Sequence, residues 1–80
     1  MIFGEQLRSS REKNNLSAEQ LAKKCGVSRS YITLIEGGKR TPGAKILPKI
    51  ASALNLKTNT VLNWYLEDVR AKLQKKLDVK

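Results

Sequence analysis

The sequence predicts an all-α fold of five helices. Apolar residues recur at helical spacing in every segment between turn-forming residues, and no segment sustains the apolar–polar alternation of a half-buried strand. The turn-forming residues are Asn14-Asn15, Gly26, Gly37-Gly38, Thr41-Pro42-Gly43 and Asn55, which divide the chain into five pieces. Eighty residues make one domain with a modest core. There is no internal repeat, low-complexity tract or linker.

The first helix, about Ile2 to Lys13, turns Phe3 and Leu7 inward. The second opens on Ser17, because Ser17-Ala18-Glu19-Gln20 is a capping box and Leu16 with Leu21 forms a hydrophobic staple around it. It closes at Cys25, since Gly26 takes the left-handed conformation at low cost. The third opens on Ser28 as N-cap, with Val27 and Ile32 as a second staple, and runs to about Glu36. The fourth starts near Gly43 or Ala44 with Ile46, Leu47, Ile50, Ala51 and Leu54 inward, and Pro48 predicts a strained or late start because it lacks an amide donor. The fifth runs from about Thr58 to Leu77, with Leu62, Leu66, Val69, Leu73 and Leu77 in a stripe at helical spacing. Trp64 lies roughly 160° around the helix from that stripe, which suggests a helix held between its own core and a second chain. Tyr65 is assigned to the core side.

Sixteen Lys+Arg stand against seven Asp+Glu, a net charge of +9, and residues 1–57 hold eleven of the basic residues and four of the acidic ones. That excess points to a polyanionic partner. No run approaches the roughly 20 apolar residues of a membrane span, and Met1-Ile2-Phe3 leads directly into Glu5-Gln6 instead of a signal-peptide core, so a cytoplasmic location is expected. One cysteine, Cys25, and no histidine leave a metal site without its soft ligands. Glu5, Glu12 and Glu19 fall near basic residues as solvated charge, so catalysis lacks its parts and no cofactor is expected. Cys25 is read as a buried, inert thiol.

From Ala18 to Glu36, Leu21, Cys25, Val27, Ile32 and Ile35 face inward around the small Ala22 and the turn at Gly26. This is the pattern of a helix-turn-helix, in which a small residue lets the second helix cross closely and the glycine sets a wide interhelical angle. With these residues in view, the chain resembles the phage repressor, Cro and C1 type of helix-turn-helix domain, the XRE family. The likeness covers roughly residues 3–62, through FGEQLRSSREKNNLSAEQLAKKCGVSRSYITLIEGGKRTP and ILPKIASALNL. The division expected is a DNA-binding core over residues 1–57 and a C-terminal helix over 58–80 that serves as a dimerisation or partner surface.

The resemblance implies that helix three enters the major groove of double-stranded DNA while the amide end of helix two sits on a phosphate. The helical wheel agrees: with Ile32 and Ile35 inward, Ser28, Arg29, Ser30 and Thr33 turn outward. These four, with Leu34 against a thymine methyl or a protein surface, are the candidate base readers. Arg29 leads them, because its planar fork matches guanine O6 and N7. Candidate phosphate contacts are Ser17, Gln20, Tyr31, Lys39, Arg40 and Lys45. Tyr31 either bonds a phosphate through its hydroxyl or packs its ring on helix two. Arg11 and Glu36 match a largely buried ion pair of the family, tying helix one to the end of helix three. Two positions depart from the family pattern: Ala18 stands where a bracing glutamine is common, and Gly37 where asparagine or arginine often precedes the last glycine of the turn.

The function expected is a transcriptional regulator, a repressor binding a pseudo-palindromic operator as a homodimer, with Trp64, Leu66, Val69 and Leu73 as the dimer surface. The chain's size and its Arg29-Ser30-Tyr31 run also resemble the controller proteins of restriction–modification systems. The competing expectation is an antitoxin or adaptor whose C-terminal helix binds another protein, motivated by Leu34 and Trp64. RNA binding lacks the stacking aromatics it would use. For Lys57, Lys72, Lys75, Lys76 and Lys80 ordinary solvation is the bland alternative, and the basic residues of the tail are expected to add nonspecific affinity for DNA.

Overall fold

The computed structural model describes residues 2–78. Its elements are α1 (Ile2–Lys13), α2 (Ala18–Cys25), α3 (Arg29–Glu36), a 3₁₀ turn (Ala44–Ile46), α4 (Leu47–Ala53) and α5 (Thr58–Asp78). Lys80 lies outside the described residues.

The caps appear where the sequence places them. Ser17 Oγ accepts the Gln20 amide at 3.0 Å and Gln20 Oε1 accepts the Ser17 amide at 2.8 Å, a complete capping box. Ser28 Oγ accepts the Tyr31 amide at 3.1 Å. The late start at helix four is a 3₁₀ turn that becomes α-helix at Leu47, so that Pro48 sits in the first turn, where its missing donor breaks no bond.

Helices α1 to α4 all end in one way. A residue at positive φ, in turn Asn15, Gly26, Gly38 and Asn55, reverses the chain. The amide of the next residue then donates to a carbonyl five positions back: Leu16 to Arg11 at 3.1 Å, Val27 to Ala22 at 3.0 Å, Lys39 to Leu34 at 2.9 Å and Leu56 to Ala51 at 2.8 Å. This is the Schellman arrangement, in which the last residue is usually apolar and packs back on the helix it closes. Leu16, Val27 and Leu56 are apolar at this position, each packed against the core. At the end of α3 the position is Lys39, exposed and charged.

The core is built from Phe3, Leu7, Leu21, Ala22, Cys25, Ile32, Ile35, Ile46, Leu47, Ile50, Ala51, Leu54 and Val61. Gly4 is buried among them for want of space: a Cβ there would run into the carbonyl oxygen of Ile35 and come within 2.8 Å of that of Glu36. The start of α1 thus packs directly on the end of α3. At the other end of α1, Arg11 Nε and Nη2 donate to the two carboxylate oxygens of Glu36 at 2.7 and 3.0 Å, and Nη1 donates to the Leu16 carbonyl at 2.8 Å. The side chains of this pair are only 14% and 9% exposed. The hydrogen bond to Glu36 holds the Arg11 guanidinium above its ordinary range, against the opposing effect of burial.

Helix α5 corrects one expectation, the grouping of Trp64 with the leucines on a dimer surface. The inward side is Val61, with Trp64 and Tyr65 partly buried beside it, and not the leucine stripe. Trp64 meets Phe3 edge-on, ring centroids 5.9 Å apart at 80°, so its bulk serves the chain's own core. Of the four residues expected at a dimer surface, Trp64 faces away from the other three. Leu66, Val69 and Leu73 are exposed, as is Leu77, while Leu62 is half-buried at the base of the helix. The physical reason is phase. Val61, Trp64, Tyr65 and Asp68 recur at helical spacing as regularly as the leucines do, and only one set can meet the core. With 21 residues and a length of about 30 Å, α5 extends beyond the other helices and gives the molecule extents of 44 × 24 × 22 Å.

Candidate nucleic-acid interface

Helix α3 is pinned by Ile32 and Ile35, both fully buried, each contributing roughly 1.5 to 3 kcal/mol. With that face fixed, Ser28, Arg29, Ser30, Thr33 and Leu34 all lie in solvent, Leu34 at 39% exposure. Ser17, Gln20, Lys39, Arg40 and Lys45 are exposed around them, and Tyr31 is half-buried. The turn between α2 and α3 is held by Gly26 at φ +69°, where any side chain would be strained.

Tyr31 makes contacts within the chain that the sequence does not announce. Its hydroxyl oxygen accepts the Gly43 amide at 3.0 Å, tying α3 to the start of the 3₁₀ turn, and the Arg40 guanidinium lies 4.8 Å from its ring centroid. The loop that carries Lys39 and Arg40 is therefore anchored on the helix beside it.

The hydrogen bonds inside this surface leave it rich in unused donors. Ser17 Oγ, Gln20 Oε1, Ser28 Oγ and Tyr31 Oη all act as acceptors toward backbone amides. Besides spare lone pairs, they keep three hydroxyl hydrogens and the Gln20 amide group as donors. Arg29, Lys39, Arg40 and Lys45 are donors only, and none is engaged in an ion pair among the described residues. The surface thus fits an array of acceptors, which is what phosphate oxygens and the purine edges of guanine offer. Thr33 is the exception. Its hydroxyl donates to the Ser30 carbonyl at 3.1 Å, leaving its methyl and oxygen lone pairs outward.

Sequence reasoning missed three residues that shape this surface from behind. Asp68 Oδ1 and Oδ2 accept the amides of Ile2 and Phe3 at 2.8 and 2.9 Å, fixing α1 to α5. Gly4 permits the close approach of α1 to α3, and a glycine inside a helix, which costs about 1 kcal/mol against alanine, was its available signal. Gly43 supplies the amide that holds Tyr31. Elsewhere, no cluster of metal-ligating side chains occurs among the described residues, and no helix is long and apolar enough to cross a membrane.

Comparison with known proteins places this geometry. A helix-turn-helix family model matches residues 7–61. The chain is 35% identical to the control protein C.BamHI of Bacillus amyloliquefaciens over 65 residues, covering 80% of each. It is 41% identical over 70 residues to the HTH-type transcriptional repressor RghR of Bacillus subtilis, covering 84% of this chain and 52% of that one. The chain spans about half the length of RghR and 38% of two matching Mycobacterium tuberculosis regulators. Among solved structures it is similar to SinR, a master regulator for biofilm formation, in complex with DNA: the TM-score is 0.69 at 31% identity, covering 75% of this chain and 97% of that one. It is also similar to a complex of SinR with the SinI protein, where the TM-score is 0.71 at 29% identity and the coverage is 96% of this chain and 75% of that one. The chain belongs to the helix-turn-helix family of the XRE type, the fold of phage repressors and control proteins and a family of transcription regulators rather than enzymes.

Proposed function

We propose that the protein is a sequence-specific double-stranded DNA-binding transcriptional repressor that acts in the cytoplasm. The DNA-binding core lies within residues 1–57, and two copies associate through the C-terminal segment 58–80, by way of α5. The single observation that carries this reading is the donor-rich, cationic face around α3, with the Arg29 and Ser30 side chains without a partner among the described residues at its centre and Lys39, Arg40 and Lys45 at its edge. Arg29 reads guanine by its paired donors. Ser28 and Ser30 bond whichever acceptors face them, and the Thr33 methyl and Leu34 meet thymine methyls. Ser17, Gln20, Tyr31, Lys39, Arg40 and Lys45 hold the phosphates and fix register. The relatives support it: RghR is a transcriptional repressor, and SinR has been captured on DNA.

Two copies would present α3 to successive major grooves about 34 Å apart on a pseudo-palindromic operator. The exposed Leu66, Val69 and Leu73 supply the self-complementary face. Selection from randomised duplexes at physiological salt tests the reading. A two-fold related motif is expected, with Arg29→Ala and Thr33→Ala each relaxing it at defined positions; no enriched motif, or an unchanged footprint in both variants, rejects it.

A second reading is that α5 clasps a different protein and DNA binding is secondary. The observation in its favour is the SinR–SinI complex, whose likeness extends over nearly the whole chain, together with the exposure of Leu66 and Leu73. Sedimentation separates the two: a homodimer lost on Leu73→Glu supports self-association, whereas a monomer that recovers one stoichiometric foreign partner from its host supports the second.

A further inference from the structure

The outer half of α5 passes beside the loop that follows α3, and the two enclose a cleft of about 410 Å³ lined by Lys39, Arg40, Lys72, Lys75, Ala71 and Asp68, with Gly38 and Thr41 on the loop side. Four cations therefore share one cleft, two contributed by each wall. None of them forms an ion pair among the described residues. The one carboxylate present, Asp68, accepts the Ile2 and Phe3 amides at the positive end of α1 and forms no salt bridge with any of the four. Four cations against one carboxylate leave a local excess of positive charge, and an anion with several charged oxygens relieves their repulsion.

The cleft opens onto the surface around α3. Arg40 lies over the ring of Tyr31 on that helix, and Lys39 closes its end. Basic residues on α5 thus continue the line of phosphate-binding residues that begins at α2 and passes along the loop. We infer that Lys72 and Lys75 of α5, together with Lys39 and Arg40, form a second phosphate track that grips the sugar-phosphate backbone of the bound duplex beside the bases that α3 reads. This rests on the DNA-binding reading of the protein. The face carrying Asp68, Ala71, Lys72 and Lys75 is centred about 140° around α5 from that of Leu66, Val69 and Leu73, so a dimer formed through the leucines leaves the cleft open, although Lys72 and Lys75 also border the apolar patch at Val69 and Leu73.

The salt dependence of duplex binding tests the inference, because each phosphate contact to B-DNA adds about 0.9 to the slope of log K against log salt. On a selected operator, Lys72→Gln/Lys75→Gln is expected to lower the magnitude of that slope by about 1.8 for each bound protomer, about 3.6 for a dimer, and to weaken operator and unrelated duplex by the same factor. Lys72→Arg/Lys75→Arg keeps the wild-type slope. Lys24→Gln/Lys49→Gln removes the same charge from a different cleft, between α2 and α4, and is expected to leave the slope within about 0.5 of wild type. A glutamine pair at 72 and 75 with the wild-type slope, or a Lys24/Lys49 pair with an equal loss, overturns the inference while leaving the DNA-binding reading standing. A wild-type protein that binds no duplex overturns both.

Discussion

The Asp68 carboxylate, at the middle of α5, accepts the amide of Phe3 at 2.9 Å and, through its other oxygen, that of Ile2 at 2.8 Å. A residue 65 positions along the chain thus does for α1 what Ser17 does locally for α2. It satisfies amides that the helix itself leaves open and sets a negative charge at the positive end of the helix. It also holds Phe3, fully buried and in edge contact with Trp64, against the base of α5.

Asp68→Ala is expected to destabilise the fold by about 1 to 2 kcal/mol, the usual cost of losing such a cap. In a domain of this size each kcal/mol lowers the melting temperature by roughly 4 to 8 °C. Thermal unfolding followed by circular dichroism measures it. An unaltered midpoint would mean that water satisfies the two amides as well as the carboxylate does.

How much of the fold is legible in the sequence follows from the range of the interactions. The bounds of α1 to α4 rest on local chemistry, with Ser17, Ser28, Gly26 and Pro48 each acting on residues within one turn, and the sequence displays all four. The outward face of α3 is likewise readable, since Ile32 and Ile35 are its only apolar pair at inward spacing. The phase of α5 is not. Val61, Trp64 and Tyr65 compete with Leu62, Leu66, Val69 and Leu73 for the core, and beyond half-buried Leu62 the longer stripe is the one left in water. Periodicity counts how many apolar residues share a face; which face docks is decided by Phe3 and by Asp68, each remote in sequence from the other. The same distance hides the meeting of Lys72 and Lys75 with the loop at Lys39.

The pair formed by Arg11 and Glu36 is bidentate and largely buried, so its members depend on each other. Replacing Glu36 by Gln leaves a guanidinium without its counter-charge between α1 and α3, and the expected loss is about 3 to 5 kcal/mol. Urea unfolding gives the value. A variant as stable as wild type would show that water reaches Arg11 more easily than its 14% exposure implies.

Cys25 is buried among core residues, and burial pushes its thiol above the ordinary range, with Lys49 opposing by a smaller amount. The folded chain therefore keeps its proton to higher pH than the unfolded chain does. Between the two pKa values the unfolded state binds fewer protons, so stability is full below the ordinary thiol pKa and falls as pH rises through it. Two measurements follow. Alkylation of the native protein at about pH 8 should be slow and should accelerate on unfolding. The decline in melting temperature above about pH 8.5 should also be shallower in Cys25→Ala than in wild type; equal slopes would exclude the thiol as a contributor.

Lys39 offers the sharpest separation of folding from binding, because it occupies the one helix-closing position of four where an apolar residue is absent. Leu16, Val27 and Leu56 each pack against the core, and Lys39 instead holds its charge in solvent beside Arg40. Its amide already makes the closing bond to the Leu34 carbonyl at 2.9 Å, and that bond does not depend on the side chain. A leucine here would meet Leu34 in the apolar pairing that accompanies this motif, which predicts a melting temperature at or above that of wild type for Lys39→Leu. Binding should move the other way. With one fewer cation per protomer on the phosphates, affinity for operator and unrelated duplex should fall together, and the salt slope should shrink by about 0.9 per protomer, about 1.8 for a dimer. A variant that is more stable and binds DNA as tightly as wild type would take Lys39 out of the interface. One that loses stability would instead show that the lysine stem already packs in the space the leucine would fill.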